Sequence, residues 1–126
     1  MSRAERRPSD ITRLGTLEAQ VMGVLWDNGP VSIRETITHL PSEPAYTTIA
    51  TVLTNLDRKG LVTVSRQNHS TLFDARMTRS EHSAKQIEQV LQASQDRAAS
   101  ILQLVDSMSE TDLDMLRGYL LDRGRE

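Results

Sequence analysis

Apolar positions recur with a helical period along most of this chain and switch to a strand period once, between residues 61 and 76. Leu17, Val21, Val24 and Leu25 repeat on one side and predict a first helix over 16–27, with Thr16 placed to cap it and Asn28, Gly29 and Pro30 ending it. Val31 and Ser32 read as a brief extended piece. Ser32 and Glu35 then form the S-x-x-E capping box of a second helix whose buried stripe is Ile33, Ile37 and Leu40. Pro41 and Pro44 bracket a turn, and a third helix runs from about Ala45 to Lys59 with Gly60 as its stop. The runs at 61–66 and 71–76 are alternating or β-branched and predict a hairpin with its tip at 67–70.

The third helix divides its side chains most cleanly. Ile49, Val52, Leu53 and Leu56 line one face, while Thr47, Thr51, Thr54, Asn55 and Arg58 gather opposite. Only one of those five is charged, although solvated helix faces are commonly filled with Glu and Lys. Threonine is a middling helix former with a restricted rotamer, so helix propensity does not account for the choice. A threonine offers a hydroxyl to phosphates or base edges and a methyl to the thymine methyl, and an asparagine reaches an adenine edge with two hydrogen bonds. The face reads as a recognition helix for duplex DNA, with Thr47, Thr48, Thr51 and Asn55 near base edges and Arg58 and Lys59 near phosphates. At the hairpin tip, Arg66 and His69 are the expected phosphate contacts. The plainer alternative is a hairpin that merely completes the core and leaves its tip in water.

The last third is built differently. Thr78 and Glu81 make a capping box for a helix carrying Ala84, Ile87 and Leu91. Ala98, Ile101, Leu102 and Val105 form a second stripe, and Ser109 with Asp112 opens a helix containing Leu113, Leu116 and Leu120. These stripes have no evident core of their own, so a second copy of the chain is the economical partner, giving an isologous dimer through Ile87, Leu91, Ile101, Leu102, Val105, Leu113, Leu116 and Leu120. Folding back onto the first domain is the intramolecular alternative.

Composition narrows the chemistry. The 126 residues suffice for one small core plus an appendage. There is no cysteine, which excludes disulfides, thiolate metal sites and thiol redox chemistry. His39, His69 and His82 are scattered without partners at ligand spacing and read as surface or cap residues rather than metal ligands. No cofactor is expected. No apolar run approaches the roughly 18 residues of a membrane span, and MSRAERRPSD lacks the hydrophobic segment of a secretory signal, so a cytoplasmic protein is expected. The net charge of −2 is unevenly spread: residues 1–79 carry +2 and residues 80–126 carry −4, a basic front and an acidic rear. A glycine-rich phosphate loop, a nucleophile with its base and a convergent carboxylate cluster are all missing, which makes an enzyme the least favoured class.

Two stretches then carry a family pattern. LGTLEAQVMGVLWDNGPVSIRET and AYTTIATVLTNLDRKGLVTV resemble the penicillinase-repressor (BlaI/MecI/CopY) family of bacterial transcriptional regulators over residues 11 to 122, most strongly from 14 to 76. Leu14, Gly15, Leu17, Glu18, Val21, Met22, Leu25 and Trp26 resemble its opening helix, and Tyr46, Thr47, Thr48, Val52, Leu53, Leu56, Lys59, Gly60 and Leu61 its recognition helix. The resemblance implies a homodimeric repressor on a two-fold symmetric operator, dimerised through its C-terminal helices. In the β-lactamase branch a membrane sensor leads to proteolysis of that region and release of DNA, so an upstream sensor or protease is an implied partner. The chain departs from the pattern in places. It lacks the cysteine cluster of the copper-responsive branch, and Gln103 and Leu104 stand where the β-lactamase branch is cleaved at Asn-Phe. In the wing, His69 and Phe73 replace a frequent arginine and tyrosine.

The expected fold is mainly α: a flexible arm over 1–10, a winged helix-turn-helix domain with a small β-hairpin wing over 11–77, a C-terminal helical dimerisation region over 78–122 and a tail over 123–126. The expected function is a homodimeric DNA-binding repressor. The alternative is a winged helix that binds protein instead of DNA, whose exposed third-helix face should then show aromatic or arginine anchors rather than threonine and asparagine. A repressor switched by a small ligand between the dimerisation helices is a third possibility, but no polar cluster there supports it.

Overall fold

The computed structural model describes residues 14–125, and the expected arm over 1–10 lies outside them. Six helices and one hairpin follow in the order α1 (Thr16–Asn28), α2 (Ile33–Thr38), α3 (Tyr46–Arg58), β1 (Val62–Gln67), β2 (Ser70–Ala75), α4 (Arg79–Ala93), α5 (Arg97–Asp106) and α6 (Glu110–Gly124). The chain forms two compact units that divide between Ile87 and Glu88, inside α4.

In the first unit the core is assembled from α1, α3, both strands and the connections between the elements, with α2 packed against it through Ile33 and Ile37. Val21, Met22, Val24 and Leu25 of α1 meet Ile49, Leu53 and Leu56 of α3, and Val31, Leu40, Leu61, Val62 and Phe73 close the cluster. At about 1.5–3 kcal/mol for each fully buried aliphatic side chain, this cluster dominates the unit's stability. Gly15, not Thr16, caps α1: it is extended, and its N–H donates to Glu18 Oε1 at 3.1 Å, so Thr16 is already the first helical residue. In α2 the expected capping box is present, with Glu35 N–H on Ser32 Oγ and Ser32 N–H on Glu35 Oε1. Its stripe is shifted, because Thr36 is fully buried beside Leu40 while Ile33 and Ile37 are half-buried. The Thr36 hydroxyl tolerates that position by donating to Ser32 O at 2.8 Å.

A Schellman motif ends α3. Leu61 N–H reaches Leu56 O and Gly60 N–H reaches Asp57 O, each at 3.0 Å, and Gly60 takes the left-handed φ of 80° that this turn requires. The two apolar ends of the motif, Leu56 and Leu61, are both buried. The chain is thus turned straight into β1, which pairs antiparallel with β2 in a register running from Val62↔Ala75 to Gln67↔Ser70. The tip is tighter than the sequence suggests: Asn68 and His69 alone make the turn, both at positive φ (50° and 66°), the signature of a type I′ hairpin. Val31 adds a single bridge to the outer side of β2 through two hydrogen bonds with Phe73.

Thr78 and Glu81 box the start of α4, as their spacing predicts. One turn later His82 is buried, contrary to the expectation of a surface or cap histidine, because its ring packs with its centre 5.6 Å from that of Trp26. Trp26 is fixed on its other edges by its Nε1–H on Met77 O (2.9 Å) and by the Arg79 guanidinium 5.1 Å from the ring centre, while Arg79 pairs with Asp27.

The second unit comprises the remainder of α4 with α5 and α6. Asp96 caps α5 through Ala99 N–H, Ser109 and Asp112 box α6, and Arg97 pairs with Glu88 at 3.0 Å. No described residue of 88–125 is buried. The helix α6 continues through Gly124, into the segment expected as a tail.

Candidate nucleic-acid interface

The face of α3 opposite the core is built as its two-sided pattern predicts. Thr47, Thr48, Thr51, Thr54 and Arg58 are exposed and Asn55 is half-buried, whereas Ile49, Leu53 and Leu56 are fully buried behind them. The buried row locks the helix rotationally, since turning it would lift three large aliphatic side chains into water. The outward threonines therefore form a fixed ridge rather than a mobile surface.

Individual side chains on that ridge differ in what they have free. Thr54 Oγ donates back to Ala50 O at 2.9 Å, so its hydroxyl is engaged by its own helix. Arg58 Nη2 donates to Asn55 Oδ1 at 2.8 Å, which orients the amide and sets the guanidinium beside it. Lys59, expected beside phosphates, is the C-cap of α3, and its ammonium is held by Glu18 at 3.0 and 3.1 Å in a largely buried pair. On the hairpin, Arg66 is exposed and donates to Thr71 Oγ1 at 3.1 Å, and His69 stands exposed at the turn.

The structure adds two side chains to this surface. A cleft of about 310 Å³ separates α2, the first residue of α3 and the hairpin tip, lined by Ser32, Ile33, Arg34, Tyr46, His69, Ser70 and Thr71. Arg34 lies over the Tyr46 ring, 5.4 Å from its centre. The two are twelve positions apart on different helices, and no periodicity links them, so no spacing signal pointed to the pair. Among the described residues no group of three or more His, Asp or Glu is placed to hold a metal ion, and no helix is long and apolar enough to cross a membrane.

The residues expected for dimerisation all lie on α4, α5 and α6. Ile87, Leu102 and Leu120 are exposed, and Leu91, Ile101, Val105, Leu113 and Leu116 are half-buried. Periodicity missed further apolar side chains left open on the same helices, namely Val90, Leu104, Met115, Tyr119 and Leu121. Met115 and Leu121, at 70% and 65% exposure, are the most open of these on α6.

Comparison with known proteins agrees with this architecture. The transcriptional regulator BlaI of Mycobacterium tuberculosis is 31% identical over 118 residues, spanning 89% of this chain and 86% of the regulator. The solution structure of the DNA-binding domain of the repressor BlaI superposes with a TM-score of 0.50 at 25% identity, covering 56% of this chain and 89% of that domain. The fold is shared more widely: Bordetella bronchiseptica BpsR, whose DNA binding is regulated by 6-hydroxynicotinic acid, matches with a TM-score of 0.51 at 16% identity over 91% of this chain and 82% of its own. The penicillinase repressor family model matches residues 14–122, the whole of the winged helix and the helices after it, and the chain belongs to that family.

Proposed function

We propose that the protein is a cytoplasmic transcriptional repressor that binds a two-fold symmetric DNA operator as a homodimer. The observation that carries this reading is the fixed outward ridge of α3, threonine and asparagine backed by a fully buried aliphatic row, on a winged helix of the penicillinase repressor family. Thr47, Thr48, Thr51 and Asn55 face base edges, and Arg58, Arg66 and His69 face the phosphate backbone. Lys59 serves the interface indirectly, by holding the end of α3 to Glu18.

Dimerisation falls to α4, α5 and α6. Support comes from a unit in which no described residue is buried and in which apolar side chains outnumber what its own packing covers. A two-fold dimer also matches the symmetry of paired half-sites. Release follows from an upstream signal that weakens this unit. The Gln103–Leu104 peptide lies within α5, where Gln103 O accepts from Ser107 N–H, so a protease acting there needs the helix to open first.

The test is mobility shift with footprinting on the promoter upstream of the protein's own gene, at two salt concentrations. A protected palindrome with half-sites about one helical turn apart is expected. Absence of preference over random duplex at both salts would instead indicate a winged helix that docks on protein.

A further inference from the structure

We propose that the cleft between α2, α3 and the hairpin tip is a seat for a DNA phosphodiester, with Arg34 as its cationic ligand and Tyr46 as the platform that positions it. The inference rests on the DNA-binding reading and adds to it two residues, one on α2 and one at the start of α3.

Four observations lead to this site. Arg34 is exposed, and among the described residues no carboxylate pairs with it, in contrast to Arg79, Arg97 and Arg117, which all have acidic partners. The adjacent Glu35 carboxylate is occupied by the capping box with Ser32 N–H. The Arg34 guanidinium is held over the Tyr46 ring, and a planar guanidinium on an aromatic face keeps its N–H edge available for bidentate contact with an anion while its flexibility is reduced. Finally, the opposite wall of the cleft is the hairpin tip, where His69, Ser70 and Thr71 supply an imidazole and two hydroxyls, all hydrogen-bonding groups suited to phosphate oxygens.

The backbone at the tip points the same way. His69 occupies a left-handed position (φ 66°) where glycine is the unstrained choice in a type I′ turn. A strained non-glycine residue at the rim of a polar cleft is where a side chain is retained for contact rather than for the turn. The first residue of α3 belongs to the cleft, so the proposed seat adjoins the ridge that reads bases.

The experiment titrates the full-length chain with a random-sequence duplex and with its promoter fragment across a salt series, for wild type, Arg34→Ala, Arg34→Lys, Tyr46→Phe and Tyr46→Leu. Arg34→Ala is expected to weaken both duplexes by the same factor, roughly tenfold, and to lower the salt slope by about one per protomer. Arg34→Lys should keep the slope and lose part of the affinity. Tyr46→Phe should be neutral, and Tyr46→Leu should fall between wild type and Arg34→Ala with its slope intact. Thermal melts that match wild type establish that the variants are folded, which exposure of both residues leads one to expect. An unchanged slope in Arg34→Ala, or a loss confined to the promoter fragment, would overturn the seat while leaving the repressor reading standing. Wild-type protein that binds neither duplex would overturn both. Inorganic phosphate that binds wild type but not Arg34→Ala, and does not compete with duplex beyond its ionic strength, would assign the cleft to a free anion and overturn the proposal.

Discussion

Lys59 Nζ lies 3.0 Å from Glu18 Oε1, joining residues 41 positions apart so that the C-terminal end of α3 is tied to the first turn of α1. The same carboxylate oxygen accepts the Gly15 N–H that caps α1. One side chain thus fixes the start of one helix and the end of the recognition helix together. Removing either partner should cost about 1–3 kcal/mol, because the side chain left behind is largely buried, and the double variant should cost less than the sum. Lys59→Ala should leave the salt slope of DNA binding unchanged. A slope lowered by about one per protomer would return Lys59 to the set of phosphate ligands.

Asn55 is tethered by Arg58, and both lie on the ridge. Asn55→Ala should weaken promoter binding by about 1–3 kcal/mol, relax base preference and leave the melting temperature nearly unchanged, since the residue is only half-buried. Equal losses on promoter and random duplex, measured by competition, would remove Asn55 from the base-reading residues.

At the hairpin tip, His69→Gly separates stability from binding. Glycine relieves the left-handed backbone, and its greater freedom in the unfolded chain offsets part of that gain, so folding stability should stay level or rise by up to about 1 kcal/mol. Duplex affinity should fall. A variant that is both less stable and fully active would refute the assignment.

Dimerisation is best tested where the single chain leaves side chains open. Met115→Asp with Leu121→Asp replaces two exposed residues, so the helical content of the protomer should persist while sedimentation shifts to monomer and duplex affinity drops. Leu113 and Leu116 are half-buried, and charges there would disturb α6 as well. An intact dimer in the Met115/Leu121 double variant would exclude this face.

Acid should loosen α4 from its start. The Thr78 N–H donating to Glu81, reinforced by the Thr78 hydroxyl, holds the Glu81 carboxyl below its ordinary range. A carboxyl lowered in the folded state contributes stability above its ordinary pKa and loses it as pH falls through the folded value, so the contribution is complete at neutral pH and disappears in moderate acid. Glu81→Gln keeps the capping geometry and should flatten this acid limb in pH-dependent urea melts. A limb identical to wild type would place the acid sensitivity elsewhere, with Glu88, lowered by its hydrogen bond from Arg97, the next carboxylate to replace.

The order of helices, the single hairpin, the capping boxes at Ser32, Thr78 and Ser109 and the two-faced character of α3 are all visible in the sequence, because each depends on residues within about one or two turns of one another. Gly60 likewise announces its turn, since only a glycine meets φ 80° without strain. The two-residue wing tip was less legible. Asn68-His69 is a poorer type I′ signature than Asn-Gly, and pairing of Gln67 with Ser70 is decided by register along the whole hairpin.

Tertiary structure alone decided which polar side chains work for the fold and which face outward. Lys59 and Arg58 are adjacent basic residues in the sequence, yet one is drawn into a partly buried pair with Glu18 and the other remains exposed on the ridge. His82 meets Trp26, and Arg34 meets Tyr46, across separations that no local period encodes. Helix phase and caps are set by neighbours along the chain, whereas these partnerships exist only after burial of the common core has fixed the helices against one another.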